Sequence, residues 1–172
     1  MSLIYCERWN ERLCKPIGRL GADEAKVVHE SGEPYAVASV DEGTGHADRV
    51  VELAMRSNIV RVNFLDEYNR VEMIYIFGPA DGRLFLQDIT TYDYGDVKKY
   101  LGMSRSRVVE INEFNPDGTG VYHYKGPDER YSQELSLKDD RSLDLHWEAV
   151  PEFGDYASIA RGKRSGPAVP FG

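Results

Sequence analysis

Apolar and polar side chains alternate with a period of two over most of residues 59–150, or form short apolar runs bounded by turn residues. In the first such stretch, Val60, Val62 and Phe64 fall on one side of the chain. This period is typical of a β-strand, because successive side chains of a strand point to opposite faces of a sheet. Seven strands are predicted on this basis, at residues 59–65, 71–77, 83–90, 107–114, 119–125, 131–137 and 142–150.

Most connections between these strands are short and carry turn residues. Residues 66–69, 81–82 and 115–118 contain Asp, Asn, Pro and Gly in combinations that favour tight reversals. Strands that follow one another through such turns pair in antiparallel fashion. The pattern therefore predicts an antiparallel β meander.

A helical period occurs upstream of these strands, within residues 46–58. Thr44 precedes it as a possible N-cap. The period predicts one amphipathic helix near residues 46–58, packed on the sheet. Its apolar stripe, at positions i, i+3, i+4, i+7 and i+8, consists of Ala47, Val50, Val51, Ala54 and Met55.

The segment before residue 46 is compatible with two structures. Residues 26–29 and 35–40 flank a polar, glycine-containing stretch and could form a hairpin, whereas residues 22–29 could form a short helix. The pattern leaves both alternatives open.

The fold class predicted is mainly β, of the α+β type. A meander with some helix is stable either as a strongly curved sheet or barrel, or as an open antiparallel sheet with helices on one face. The strongly curved sheet or barrel is favoured because Arg61 and Asn63 lie opposite Val60 and Val62 on the same strand. A barrel with a polar interior can use both faces of such a strand.

Length and composition indicate one folded domain. The chain has 172 residues, which is enough to bury a core without disulfides or metals. No repeat or linker divides it, so a single β-rich domain is predicted over residues 1–161, followed by a flexible, Gly- and Pro-containing tail at 162–172. Cys6 and Cys14 are too few ligands for a structural zinc site and are expected to be reduced thiols. No metal and no cofactor are predicted.

Charge is distributed unevenly along the chain. The net charge is -8, but residues 1–20 carry +2 and residues 161–172 carry +3, so residues 21–160 carry -13. A body of this charge repels phosphate backbones and attracts cationic partners. A basic protein partner is therefore expected and a nucleic acid is not, although an acidic surface can also serve only to keep a protein in solution.

Hydropathy argues against export and membrane insertion. Charged residues interrupt the first twenty positions, which therefore lack the apolar stretch of a secretory signal. No run approaches the roughly 18 to 20 apolar residues of a membrane-spanning helix. A soluble, cytoplasmic protein without membrane association is expected.

The histidines supply the best candidate catalytic residues. In the strand predicted at residues 142–150, a period of two places His146 on one face with Asp144 and Glu148. If His123 lies on a neighbouring strand, two imidazoles and the Asp144 carboxylate could converge as a general acid and base, or on a metal. Histidines that face solvent among acidic neighbours are the alternative interpretation. No standard phosphate-binding, dinucleotide-binding or hydrolase motif accompanies them.

Residues 43–48, at the start of the predicted helix, suggest an anion pocket. A helix N-terminus has free N–H groups that bind anions. The alternative is a flexible entry loop with ordinary capping.

Aromatic residues supply a candidate binding surface. Tyrosine and phenylalanine combine a large apolar body with a shape suited to interfaces and pockets, although tyrosine is also common on ordinary sheet surfaces. The candidate ligand- or partner-binding residues are Tyr92, Tyr94, Tyr122, Tyr124, Phe153 and Tyr156.

Two functional classes follow from these observations. The leading hypothesis is a non-enzymatic binding protein with an acidic β surface that engages a basic protein, as an inhibitor or immunity-type protein does. The alternative is a small-ligand-binding β-barrel protein or enzyme, with a polar and aromatic pocket for an apolar or aromatic compound. A metal-dependent hydrolase is a third, less favoured hypothesis.

Overall fold

A computed structural model describes residues 1–137 and 141–162 of the chain. Within these residues the chain is mainly β, with one α-helix, α1 (Ala22–Ser31), and a single eleven-stranded antiparallel sheet. The strands are β1 (Ser2–Asn10), β2 (Lys15–Leu20), β3 (Tyr35–Val40), β4 (Ala47–Ala54), β5 (Ile59–Leu65), β6 (Val71–Ala80), β7 (Arg83–Asp93), β8 (Val108–Phe114), β9 (Thr119–Lys125), β10 (Arg130–Ser136) and β11 (Trp147–Glu148).

The sheet is a meander over most of its width. Its strand order is β10-β9-β8-β7-β6-β5-β4-β3-β1-β2, so adjacent strands from β3 to β10 are also neighbours in the sequence. β1 lies between β2 and β3, because α1 carries the chain from one side of β1 to the other. β11 lies off this path and pairs with the first part of β7, where Trp147 is opposite Phe85.

The mainly β, antiparallel architecture confirms the predicted fold class. The described sheet is neither closed nor strongly curled: β2 and β10 form its two ends. The barrel form is therefore not confirmed. Polar and apolar side chains share these strands for a different reason, which is that both faces of the sheet are partly covered.

The first core lies on one face and is rich in aromatic residues. One register row across β3 to β7 consists of Val37, Val51, Val62, Tyr75 and Ile89, all buried. The segment at residues 153–160, after β11, packs against this core.

The second core lies on the opposite face and is smaller. Ala38, Val50 and Ile74 share the register row next to the one above, and Cys6 and Trp9 of β1 join them. This core covers β1 and β3 to β6, and leaves the corresponding face of β7 to β10 more exposed.

The prediction of an amphipathic helix near residues 46–58 is wrong. Residues Ala47–Ala54 form β4, and Met55–Ser57 form a 3₁₀ turn. Val50 packs in the second core and Val51 in the first, so both sides of β4 are buried. A strand buried on both faces carries consecutive apolar residues. In β4 these residues have the same spacing as the apolar positions of an amphipathic helix.

The α-helix of the described chain is α1, which confirms the helical alternative for residues 22–29. The Gly21 N–H donates to Glu24 Oε2 at 2.8 Å at its start. Gly32 ends it with a left-handed φ of 78°, a conformation that glycine adopts without strain.

Six of the seven predicted strands are confirmed as β5 to β10. The strand predicted at residues 142–150 is wrong over most of its length: Arg141–His146 form a 3₁₀ helix, and only Trp147–Glu148 are extended. The flexible tail was predicted at residues 162–172, of which 163–172 lie outside the described residues.

In the parts of the chain that the structure describes, no helix has the length and apolar character needed to cross a membrane.

Candidate functional site

A half-exposed surface covers one side of β7 to β10, on the face that carries the second core. Alternation along four strands in continuous register determines which side chains belong to it. Thr90 is buried, and the other members are half-buried or exposed. We call this surface the open face, and it consists of Asp88, Thr90, Tyr92, Val109, Ile111, Glu113, Val121, His123, Lys125, Arg130, Ser132 and Glu134.

Several carboxylates lie on one register row of the sheet, and this row reaches the open face. Asp88 of β7 is directly opposite Glu113 of β8, and Val121 of β9 lies between Glu113 and Glu134 of β10. On the other side of Asp88, the row continues through β6 and β5 to Glu52 of β4. We call Glu52, Asp88, Glu113 and Glu134 the acidic row.

One arginine lies within this row. Arg61 of β5 is opposite Glu52, with its Nε 3.7 Å from Glu52 Oε2, and it donates to Asn63 Oδ1 at 2.9 Å. Glu52 is therefore paired, whereas Asp88 and Glu113 face each other as like charges. Like charges directly opposite on adjacent strands destabilise the folded state.

Burial and the neighbouring charges shift the pKa of Asp88. Burial raises the pKa of the Asp88 carboxyl, and the charge of Glu113 raises it further. A hydrogen bond of 2.7 Å donated by Thr90 Oγ1 acts in the opposite direction, as do the charges of Arg61 and His123. An additional cation beside Asp88 would favour its ionised form.

The same effect extends to the turn between β1 and β2. Burial raises the pKa of the Glu11 carboxyl, and the charge of Glu52 adds to this shift, while Arg61 opposes it. Glu11 and Asp88 are therefore both electrostatic neighbours of Arg61, as is its ion-pair partner Glu52.

His123 lies at the centre of the open face and links three strands. Its Nε2 is 3.1 Å from Glu113 Oε2 on β8, and its Nδ1 is 2.7 Å from Ser132 Oγ on β10. These contacts hold the Glu113 carboxylate in place within the exposed part of the acidic row.

The other predicted catalytic residues do not join His123. His146 is fully buried, with its ring centroid 5.8 Å from that of Phe85 and 4.6 Å from that of Phe114. Because Phe114 belongs to the first core, His146 and His123 lie on opposite sides of the sheet. Asp144 is exposed on the 3₁₀ helix that precedes β11. Among the described residues, no three His, Cys, Asp or Glu side chains form a group that could hold a metal ion.

Two of the predicted binding tyrosines form a cluster on the face opposite the open face. The ring of Tyr131 stacks on Tyr124 with centroids 5.1 Å apart and lies 6.0 Å from Tyr122. Tyr122 donates to Glu110 Oε1 at 2.7 Å, and burial together with this bond raises the pKa of its hydroxyl. Tyr131 was not among the predicted residues, although it begins the strand predicted at residues 131–137.

Tyr92 and Tyr94 lie apart from this cluster. Tyr92 is half-buried on the open face, beside the second core. Tyr94 is buried, donates to the Val71 carbonyl at 2.7 Å, and lies under the Arg70 guanidinium at 4.7 Å from its ring centroid. Tyr94 therefore anchors the turn between β5 and β6.

Phe153 and Tyr156 attach residues 153–160, which we call the C-terminal segment, to the first core. Phe153 stacks on Tyr5 with centroids 5.2 Å apart. The hydroxyl of Tyr156 is 2.8 Å from that of Tyr35, which is in turn 2.8 Å from His29 Nδ1. Burial lowers the pKa of the His29 imidazole and raises that of the Tyr35 hydroxyl.

A cavity of about 240 Å³ lies beside Tyr156, between the sheet and residues 154–160. Apolar side chains of β1, β3 and β4 and of residues 156–160 form most of its wall, with Ser39 and Arg49 as polar members. Arg49 Nη1 donates to the Ala160 carbonyl at 2.9 Å, and its Nη2 is 3.0 Å from Asp48 Oδ2. Sequence reasoning did not identify these residues, because the cavity depends on where the C-terminal segment packs.

The anion pocket predicted at residues 43–48 has no helix N-terminus to form it. Residues 41–46 are a loop in which the Asp41 carboxylate accepts the N–H groups of Gly43 and Thr44, at 3.0 and 2.8 Å. The N–H groups that would bind an anion are thus already engaged with a carboxylate.

Comparisons with protein-family models, with curated proteins and with solved structures found no match.

Proposed function

We propose that this chain is a non-enzymatic binding protein whose open face engages a basic protein, as an inhibitor or immunity-type protein does. The observation that carries this proposal is the acidic row, in which Asp88 and Glu113 meet as like-charged neighbours on an accessible sheet surface. A lysine or arginine of a partner placed between them would remove the repulsion.

The surroundings of the acidic row support a protein partner. Ile111 and Val121 lie beside Glu113 on the open face and are only half-buried. A surface that combines apolar side chains with charges of one sign provides contact area as well as electrostatic steering. Residues 108–136, which form β8 to β10, carry six acidic and two basic side chains, a net charge of -4.

The rigidity of the surface also favours recognition. Glu113 is held by His123, and Asp88 by Thr90, so these carboxylates lose little freedom when a partner binds. Side chains on paired strands keep more precise positions than those on loops.

The proposal is tested with a double variant, Asp88→Asn with Glu113→Gln, and a matched control, Asp23→Asn with Glu42→Gln. Both variants lose two negative charges, but Asp23 and Glu42 are exposed residues away from the open face. The probe is a synthetic peptide of alternating Arg and Leu, and its binding is measured by isothermal titration calorimetry and by NMR shifts of backbone amides.

Wild type and control are expected to bind the peptide, and the NMR shifts are expected at backbone amides of β7 to β10. The open-face variant is expected to bind about tenfold more weakly or worse, because charge-assisted contacts at the half-buried Asp88 and the exposed Glu113 are lost. Equal binding by the two variants, or shifts located elsewhere on the chain, would contradict the proposal.

A second candidate function rests on the cavity beside Tyr156. We propose as the alternative a small-ligand-binding protein that takes a compact aromatic or branched carboxylic acid there. The cavity volume of about 240 Å³ exceeds the roughly 150 Å³ that holds a benzene molecule in an apolar core. Arg49 would meet the carboxylate, and no closed barrel is required.

This alternative is tested with benzoate as the probe. Benzoate is expected to raise the melting temperature of wild type but not that of Ala157→Phe, which fills the cavity from an exposed position on its rim. Benzyl alcohol, which lacks the charge, serves as the ligand control. Absence of stabilisation by benzoate would remove this candidate and leave the open face untouched.

A further inference from the structure

The two ends of the sheet differ in how they are protected against pairing with another strand. β2 contains Pro16, which has no N–H, and Gly18, whose φ of 61° interrupts the extended backbone. These are common protections of edge strands. β10 contains neither proline nor glycine, and its residues are exposed except for the half-buried Leu135.

β10 pairs on one side only, as far as the described chain shows. Its seven residues, Arg130 to Ser136, are all in register with β9 and no bulge interrupts them. No described strand pairs with its other side. A regular strand with one open side presents a row of N–H and C=O groups to solvent.

The hydrogen bonds at both ends of β10 show which residues face outward. The Leu137 N–H donates to the Gly118 carbonyl at 2.7 Å, and the Glu129 carbonyl accepts from the Gly126 N–H at 2.9 Å. Backbone groups of a strand alternate in direction, so odd-numbered residues of β10 bond to β9. The even-numbered residues, Arg130, Ser132 and Glu134 among them, therefore direct their backbone N–H and C=O outward.

The sequence of β10 is complementary to itself in one antiparallel register. When Ser132 lies opposite Ser132 of a second copy, Arg130 lies opposite the partner's Glu134, and the same pair repeats on the other side of the two-fold axis. Outward-facing residues are then opposite outward-facing residues, as backbone pairing requires. All four charged side chains lie on the same face of the combined sheet.

The neighbouring registers that also satisfy the backbone are less favourable. With the axis at Tyr131, Asp128 would lie opposite the partner's Glu134, which places like charges together twice. With the axis at Gln133, Arg130 would lie opposite Ser136 and its charge would be unpaired. Electrostatics therefore selects the register with the axis at Ser132.

We propose that two copies of this chain associate through β10, antiparallel and centred on Ser132, to form one continuous sheet. The association is isologous, because the same strand contributes on both sides. The open faces of the two copies become contiguous, and Tyr131 lies opposite the partner's Gln133 on the other face. This inference is independent of the proposed function, since it uses the edge of the sheet and not its face.

A contact of one strand on each side buries a small area, so dimerisation is expected to depend on concentration. Sedimentation velocity from about 10 μM to 1 mM covers the affinities expected of such an interface. Wild type is expected to change from monomer to dimer within this range, and a monomer throughout would overturn the proposal.

Charge exchange identifies the interface. Arg130→Glu places two glutamates opposite each other across the interface, and Glu134→Arg places two arginines opposite each other, so each is expected to weaken dimerisation about tenfold or more. The double variant Arg130→Glu with Glu134→Arg reverses both charges and is expected to restore it. Equal dimerisation of wild type and single variants, or failure of the double variant to recover, would overturn the proposal.

A backbone variant keeps the test decisive if a charge variant folds poorly. Ser132→Pro removes an outward N–H and leaves the bonds of β9 to odd-numbered residues intact. It is expected to be monomeric, whereas Ser132→Ala, which loses the same hydroxyl contact to His123, is expected to dimerise. A dimeric proline variant would refute pairing through this edge.

Discussion

The hydroxyl of Tyr35 links β3 both to the C-terminal segment and to α1. Tyr35 is 2% exposed, and its hydroxyl is 2.8 Å from both His29 Nδ1 and the Tyr156 hydroxyl. Tyr35→Phe removes both bonds without changing the ring, and leaves the buried hydroxyl of Tyr156 without this partner.

The expected cost follows from the number of bonds lost. A buried hydrogen bond contributes about 1 kcal/mol net, so Tyr35→Phe is expected to lower the free energy of unfolding by about 2 kcal/mol. Tyr156→Phe removes one bond and should cost about 1 kcal/mol. The double variant should cost no more than Tyr35→Phe, because both bonds are already absent, which corresponds to a coupling of about 1 kcal/mol.

Urea unfolding measures these differences. For a domain of this length, the loss in Tyr35→Phe corresponds to a fall in melting temperature of about 4 to 8 °C. The dependence of the unfolding free energy on urea should stay the same, since the folded surface is unchanged. A loss below about 0.5 kcal/mol in Tyr35→Phe, or additive losses in the double variant, would refute the linked hydrogen-bond chain.

His29 makes the stability contributed by these linked hydrogen bonds depend on pH. Its folded-state pKa lies below the ordinary value of 6.5, so the unfolded chain binds the proton more readily. The contribution of neutral His29 is complete above pH 6.5 and is lost as the pH falls through the folded pKa. His29→Gln should remove this part of the pH dependence, as measured by urea unfolding in steps from pH about 7.5 to 5.

Three further substitutions test other parts of the molecule. Wild type should lose stability as the pH rises above 3.8, the ordinary pKa of Asp, because the folded-state pKa of Asp88 is raised. Asp88→Asn should remove this loss, and urea unfolding at pH about 4 and 7 checks it. Arg70→Leu removes the cation from a largely buried ion pair and should cost about 3 kcal/mol in the same assay. Gly120→Ala places a Cβ 2.3 Å from the Glu113 carbonyl oxygen and should shift the β8–β9 pairing and lower the melting temperature, whereas the control Gly102→Ala, with no neighbour within 4 Å, should not.

The alternating segments allowed most of the sheet to be predicted. Turns that need a positive φ were marked by residues that tolerate it, such as Asn69, Gly82 and Gly118, whose φ values are 58°, 71° and 82°. Along β5 to β10 the alternation of side chains and the turn residues indicate the same strand boundaries, so most of the hairpins could be predicted.

Periodicity failed where burial on two faces made it ambiguous. β4 carries Val50 and Val51 at consecutive positions because each belongs to a different core. α1 showed no clear stripe, because it buries only Ala25, and Val27 on its surface is 64% exposed. Glycines at 21 and 32 were the better signal for this helix, since they mark its two ends.

The candidate site could be anticipated in character but not in position. Net charge indicated an acidic surface, but the acidic row depends on the register among β4, β7, β8 and β10, and a shift of one residue would move Asp88 or Glu113 to the other face. The sequence predicts His123 and His146 together only if residues 142–150 form a strand. The 3₁₀ helix there instead buries His146 against Phe114.

The order of the strands has a consequence for how the chain folds. From β3 to β10 each strand can add to the one just completed, by closing a short loop at every step except the longer connection at residues 94–107 between β7 and β8. Most of the sheet can therefore assemble progressively during synthesis, from the amino-terminal side onward. β11 and residues 153–160 are the exception, because they return to β7 and the first core after the intervening strands have been made. Docking of this last segment is then the step at which the aromatic core becomes shielded from water.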